Sequence, residues 1–325
     1  MAEVKILTVG EGEDGIRLDR WLRRRWPHLG QTQIHKWARG GQIRVDGARA
    51  KADTRLVAGA QVRVPPVPEG PPPAVRDGLS ERDATFARGL TLWEDGEVLI
   101  LNKPAGLAVQ GGTGLKENID DMLTVFEHRK HGKPKLVHRL DRDTSGVLLI
   151  ARSASVAAKL SESFRNRATQ KIYWAVTCGV PMPERGRIDA PLIKKGEIMA
   201  IAESKKDREE SKTAVTLYQV MESAKGQSAF VALWPITGRT HQLRIHMAAC
   251  CGTPLLNDQP YGGALPEGLP GDELGKGLHL HARRLMIPHP KRGVIDVVAP
   301  LGVEMRKTWR WFGFDQNAEA DFSEA

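Results

Sequence analysis

Nine residues constrain this chain more than any others: PPVPEGPPP, at 65–73, of which six are proline. Proline fixes φ and has no N–H to give to a ladder, so the run can neither cross the middle of a sheet nor continue a helix. It reads as a semi-rigid, extended spacer. The 325 residues are also long for one ordinary domain. The expected division is a small module over 1–64, a proline-rich linker over 65–89, a large domain over 90–313 and a disordered tail over 314–325. A hydrophobic fraction of 41% is enough for a core in each folded part.

Charge is spread unevenly over these parts. Residues 1–64 hold ten Arg and three Lys against seven acids, which is +6 of the chain's +9. Two-thirds of the excess charge in one-fifth of the chain points to a polyanionic partner more strongly than the overall pI near 9.5 does. Other classes are disfavoured. MAEVKILTVGEGEDG has no apolar stretch of the signal-peptide kind, and no segment approaches the ~20 apolar residues of a membrane helix. Cys178, Cys250 and Cys251 are odd in number and two are adjacent, so they suit neither a disulfide scaffold nor a zinc site. A reducing, cytoplasmic compartment is expected.

In the small module, Ile16, Leu18, Trp21 and Leu22 recur near helical spacing, with Arg17, Arg20, Arg23, Arg24 and Arg25 on the other faces. Pro27 ends that helix, and a second begins after Thr32 with Ile34, Trp37 and Ala38 inward and Gly40-Gly41 closing it. QIRVDG then reads as a strand turning at Asp46-Gly47, and Ala60 to Val64 as another. The whole string GIRLDRWLRRRWPHLGQTQIHKWARGGQIRVDG resembles the S4 RNA-binding domain. That resemblance implies RNA contacts from Arg17, Arg20, Lys36 and Arg39.

From Leu90 onward the pattern is α+β. LTLWEDGEVLILNKP gives two short strands about a turn, with Val98 to Leu101 a buried run. Ser153 can cap a helix whose Val156, Leu160 and Phe164 lie four apart, and Thr240 can cap another ending at Gly252. The most unusual segment is VHRLDRDTSGVLLIAR at 137–152, a polar loop with two Arg and two Asp feeding an uninterrupted apolar strand. Loops at the mouths of buried strands are where catalytic groups are displayed. The competing reading is a turn in which Asp143, Thr144 and Ser145 satisfy local backbone donors.

HRLDRDTSG, His138 to Gly146, resembles the signature of the RluA-type RNA pseudouridine synthases. Three further motifs follow the same family order: NKPAGLAVQGG at 102–112, KIYWA at 171–175 and GRTHQLRIH at 238–246. Within the family the chain is most similar to the bacterial large-subunit (23S) rRNA pseudouridine synthase C type, through GGTGL after the first motif, the extended HRLDRDTSGVLLIAR and SKTAV ahead of GRTHQLRIH. Gln110 stands where many relatives have His.

The resemblance implies a catalytic domain built on a central mixed, largely antiparallel sheet with flanking helices, preceded by the small S4-like domain. It implies cleavage of the N1–C1′ bond of a uridine and rejoining through C5, with no cofactor and no metal. Asp141 matches the single essential aspartate, which attacks C1′ or C6 or removes the 2′ proton. Buried alone it would be neutralised, so a cation must accompany it. Arg239 matches the arginine expected to pair with it. Tyr173 matches the tyrosine stacked on the base, and Arg139 the arginine that enters the RNA as the uridine is everted. Lys171, two residues from Tyr173 on the same strand face, reads equally as a phosphate contact or a structural ion pair. His138, His241 and His246 belong to motifs. His279 and His281, at i and i+2, read as hydrogen-bond donors to backbone or phosphate, since no acids complete a metal site.

The expected partner is RNA, most of all 23S rRNA or a large-subunit precursor, bound by a monomer. Two rival readings are a non-catalytic ribosome-assembly factor and the same chemistry on tRNA.

Overall fold

The computed structural model describes residues 3–68, 79–111, 117–129, 132–166, 168–196, 198–224 and 226–322. They fall into two compact units, Met1–Gly78 and Leu79–Ala325.

The first unit packs the helices Leu18–Arg25 and Gln31–Arg39 on a sheet ordered Lys5–Thr8, Gln61–Val64, Arg44–Val45, Ala48–Arg49. Its core is Leu18, Trp21, Leu22, Ile34, Trp37, Ile43, Leu56, Val62 and Val64, which are the apolar positions of the helical and alternating patterns. Asp46 and Gly47 both take positive φ, 48° and 78°, the primed turn that joins Arg44–Val45 to the edge strand Ala48–Arg49. Ile16 precedes the first helix, because Arg17 is its extended N-cap. The Arg17 guanidinium turns back onto Asp19 at 2.6 Å. Arg20, Lys36 and Arg39 are exposed and form no ion pair among the described residues. Most of the proline run, 69–78, lies outside the described residues.

The second unit is organised by one ten-stranded sheet. Its main order runs Arg185–Asp189, Val215–Ala224, Ser228–Pro235, Gln170–Cys178, Leu280–Pro288, Ser145–Ala151, Val98–Lys103, Thr91–Glu94. Val294–Val298 adds to Leu280–Pro288, and Lys135–Leu136 to Ser145–Ala151. All pairs are antiparallel except Leu280–Pro288 with Ser145–Ala151, so the sheet is mixed and largely antiparallel. Every residue of SGVLLIA is buried, as an uninterrupted apolar run in mid-sheet requires. At the parallel seam Gly146 has φ 108°, and a Cβ there would lie 2.2 Å from the Ala282 carbonyl oxygen. Only glycine lets the two backbones meet at that point.

Two boundaries read from the sequence need correction. Residues 81–89 are not linker: Ser80 caps a helix over Glu81–Gly89 through its hydroxyl, and Ala87 is buried against Leu99 and Leu101. The tail is not disordered over 314–322. Phe314 and Phe322 are buried in an aromatic cluster with Trp174, Phe230 and Trp309, and Asp315 N–H donates to Glu222 at 2.7 Å. Residues 323–325 lie outside the described residues.

His279 and His281 are fully buried, and their partners make both neutral. His281 Nε2 donates to the Ala299 carbonyl and Nδ1 accepts from Ser145, while His279 Nδ1 donates to Gly277 and Nε2 accepts from Thr308. Burial pushes each from 6.5 down to about 4. The unfolded chain therefore takes up protons between these values that the folded chain refuses, and stability is present above 6.5 and lost as pH falls toward 4. Unfolding free energy from urea titrations should drop steadily across that window, by up to ~1.4 kcal/mol per pH unit for each histidine, and the midpoint with it. A midpoint constant from pH 7 to 4.5 would contradict this.

Candidate active site

The site begins with a lysine that the sheet buries. Lys103 ends the strand Val98–Lys103 and has no exposed surface. Its Nζ donates to the carbonyls of Leu107 at 2.7 Å, Arg142 at 2.8 Å and Pro104 at 2.9 Å, so all three ammonium hydrogens are used. Burial lowers its pKa to about 8, against the opposing pull of Asp143 and Asp141. Gly106 N–H donates to the same Arg142 carbonyl at 2.9 Å. The NKPAG turn and the RLDRD loop are thereby tied into one body.

Asp141 stands in that loop, with Thr144 N–H closing a turn onto its carbonyl at 3.2 Å. Its half-buried carboxylate faces a cavity of about 700 Å³. The other charged groups on the wall are Arg139, Arg165, Lys171, Arg239 and Arg244, so one carboxylate meets five cations. Tyr173 shares the wall, and burial followed by the charge of Asp141 pushes its phenol pKa up, keeping it protonated. His138 is fixed behind the loop. Its Nε2 accepts from Leu149 N–H at 2.9 Å, its ring packs on Phe164, and burial with the nearby Lys171 charge lowers its pKa to about 3.

The opposite wall is GRTHQLRIH, organised by Gln242. This buried amide accepts from Arg239 N–H and the Thr237 hydroxyl and donates to the Val215 carbonyl and Thr216 Oγ1, a fully satisfied network. His246 continues it, accepting from Thr216 and donating to Ala190. His241 is held in left-handed backbone, φ 53°, a conformation costing about 1–2 kcal/mol away from glycine. The helix therefore starts at Gln242 rather than from a Thr240 cap, and widens into a π turn over His246–Cys250 before Gly252.

That phasing overturns the expected pairing of Arg239 with Asp141. Arg239 lies outward on the loop, exposed, with its Nε donating to the Thr213 carbonyl at 3.0 Å. The basic group nearest Asp141 is His241, whose Nε2 is 3.9 Å from Oδ2 while Nδ1 bonds the Tyr261 hydroxyl at 2.8 Å. Burial lowers the His241 pKa, with Asp141 acting in the other sense. The inward arginine is Arg244, one helical turn on. It grips buried Asp258 through two bonds of 2.7 and 2.5 Å and lies over the Tyr261 ring. Burial opposes its charge, but Asp258 and then Asp141 outweigh burial and raise its pKa above the ordinary guanidinium value.

Asp141, Arg139, Tyr173, Lys171 and Arg239 thus meet at one cavity, although Arg239 does so as rim. Lys103, His241, Gln242 and Arg244 are the site residues missed from the sequence. All four lie inside quoted motifs, whereas Asp258 and Tyr261 lie in NDQPYGG, which carries no such signal. Among the described residues no group of three or more His, Cys, Asp or Glu side chains is placed to hold a metal.

A sheet of this topology, carrying one carboxylate in a basic cavity, defines a class. The chain belongs to the RNA pseudouridylate synthase family, whose profile matches residues 97–249. Its likeness to individual members extends well beyond that stretch. It is 33% identical to ribosomal large subunit pseudouridine synthase C of Vibrio vulnificus (strain CMCP6), over 94% of this chain and 95% of that one. With the protein of the same name from Escherichia coli (strain K12) the identity is 36%, at the same coverage. Among solved structures, Human RNA Pseudouridylate Synthase Domain Containing 4 superimposes with a TM-score of 0.61 at 30% identity, covering 71% of this chain and 97% of that one. The chain is therefore an enzyme that isomerises uridine in RNA to pseudouridine.

The Arg244–Asp258 pair has a testable cost. Arg244→Met would strand a buried carboxylate and should destabilise the fold by about 3–5 kcal/mol, whereas adding Asp258→Leu should recover much of that loss. Additive losses in chemical denaturation would show that the two side chains do not act as a pair.

Proposed function

We propose that this chain isomerises uridines of the large-subunit (23S) ribosomal RNA, free or within a precursor particle, with Asp141 acting at the ribose. The single observation that carries the assignment to this residue is its carboxylate in the family's signature loop, facing a cavity whose other charged lining residues are all cationic. Near full-length likeness to several bacterial large-subunit synthases supports the choice of RNA, and in bacteria that RNA is made in the cytoplasm.

The reaction breaks N1–C1′, turns the uracil and joins C5 to C1′. Attack at C1′, attack at C6 and removal of the 2′ proton all need an ionised carboxylate beside the ribose. Arg244 and Lys103 supply positive surroundings for Asp141. The target nucleotide must leave its stack to reach a recessed group, at a cost of a few kcal/mol. Arg139, exposed on the cavity wall without an ion pair among the described residues, is suited to fill the vacated position. Tyr173, neutral and half-buried beside Asp141, offers its ring to the base.

Backbone affinity comes from the basic N-terminal unit, in the manner of an S4-like module. Arg20, Lys36 and Arg39 are free to meet phosphates, while Arg17, engaged with Asp19, contributes less. The enzyme acts as a monomer on this reading.

Asp141→Ala should lower pseudouridine formation by more than ~10³-fold and leave RNA affinity within about threefold, since phosphate contacts carry the binding. Carbodiimide-blocked primer extension on RNA from a strain complemented with each form reads the sites directly. Sites lost from large-subunit rRNA fit the proposal. Turnover surviving in Asp141→Ala, or loss confined to tRNA, would contradict it.

A further inference from the structure

Asp258 answers Arg244 and three carbonyls answer Lys103, but Lys171, like Arg139 and Arg165, has no acid partner among the described residues. Lys171 lies on the strand Gln170–Cys178, and its half-buried side chain reaches the cavity beneath Gly238, where a Cβ would be 3.8 Å from Nζ. It makes no hydrogen bond and no ion pair among the described residues. The Phe164 ring lies 5.9 Å from Nζ. Arg165 and Ser161, one helical turn apart on Ala154–Arg165, line the same wall and are likewise without side-chain partners among the described residues. Burial lowers the Lys171 pKa with no acid opposing it, and its charge is felt by His138 instead.

Among the described residues Lys171 has no structural ion pair, one of the two roles read from the sequence. Holding an ammonium in such a place costs free energy, and the fold recovers none of it internally. These three unengaged donors, two of them cationic, line a cavity whose single acid among the described residues, Asp141, belongs to the RLDRD loop.

We propose that Lys171, with Arg165 and Ser161, forms a subsite for a backbone phosphate of the RNA strand, next to the everted nucleotide, and so sets where the ribose rests against Asp141. The inference rests on the reading that this cavity receives an RNA uridine. A phosphodiester supplies the missing negative charge and acceptor oxygens.

The test uses the full chain, large-subunit rRNA transcripts and Lys171→Gln, Lys171→Met and Lys171→Arg. Removing an unanswered buried charge should leave the urea midpoint of Lys171→Met equal to or above that of the native chain. RNA affinity of Lys171→Gln should fall about tenfold, with KM rising more than kcat falls. The slope of log K against log salt should become shallower by about 0.7–0.9, the value of one phosphate contact. Lys171→Arg should restore most of the affinity and the slope. A lowered midpoint in Lys171→Met would mark a structural role and overturn the proposal. Weakened affinity at unchanged slope would assign Lys171 to a neutral acceptor and overturn it equally. A native enzyme that forms no pseudouridine in this RNA would count against the functional reading instead, because the salt slopes test the subsite without turnover.

Discussion

The active site depends on one buried ammonium. Lys103 gives its three hydrogens to the carbonyls of Pro104, Leu107 and Arg142, and so welds the turn after one central strand to the loop before the next. An unpaired buried charge would be expensive, but carbonyl dipoles on three sides and Asp141 and Asp143 nearby compensate it. The loop that bears Asp141 therefore takes its position from the most rigid part of the molecule, the sheet interior, rather than from its own short turn. Gly146 completes the arrangement by letting two strands approach where the loop enters the sheet.

Around that anchor the charges divide into answered and unanswered ones. Arg244 and Asp258 neutralise each other at bonding distance and form a rigid polar floor. His241 and Tyr261 bond to one another above it. Lys171, Arg165 and Arg139 find no acid of their own among the described residues, which leaves the cavity positive. Electrostatics of this kind attracts an RNA backbone without reading its sequence.

Much of this was legible in the residues. The helix faces of the small unit, the buried strand after HRLDRDTSG and the Ser153 cap follow from apolar spacing and capping chemistry alone. The errors share a cause, in that each turned on contacts between residues far apart in sequence. GRTHQLRIH contains two arginines, and which one faces inward depends on where the helix starts. That start is set by Gln242 reaching Val215 and Thr216 on a distant strand. The tail looks unfoldable because its two aromatics are isolated in sequence. They bury only because Trp174, Phe230 and Trp309 assemble a surface for them. Lys103 lay within a recognised motif, but its role needs the carbonyl of Arg142, 39 positions on.

The central claim is that Lys103 holds the aspartate's loop in place, and amide hydrogen exchange in Lys103→Met tests it most directly. The amides to watch are Gly106, which donates to Arg142, and Thr144, which donates to Asp141. If the lysine is the anchor, both should exchange at least about tenfold faster than in the native chain, equivalent to ~1.4 kcal/mol of lost local protection, while Leu148 and Leu149 in the strand stay protected. Native-like protection at Gly106 and Thr144 in that variant would contradict the account.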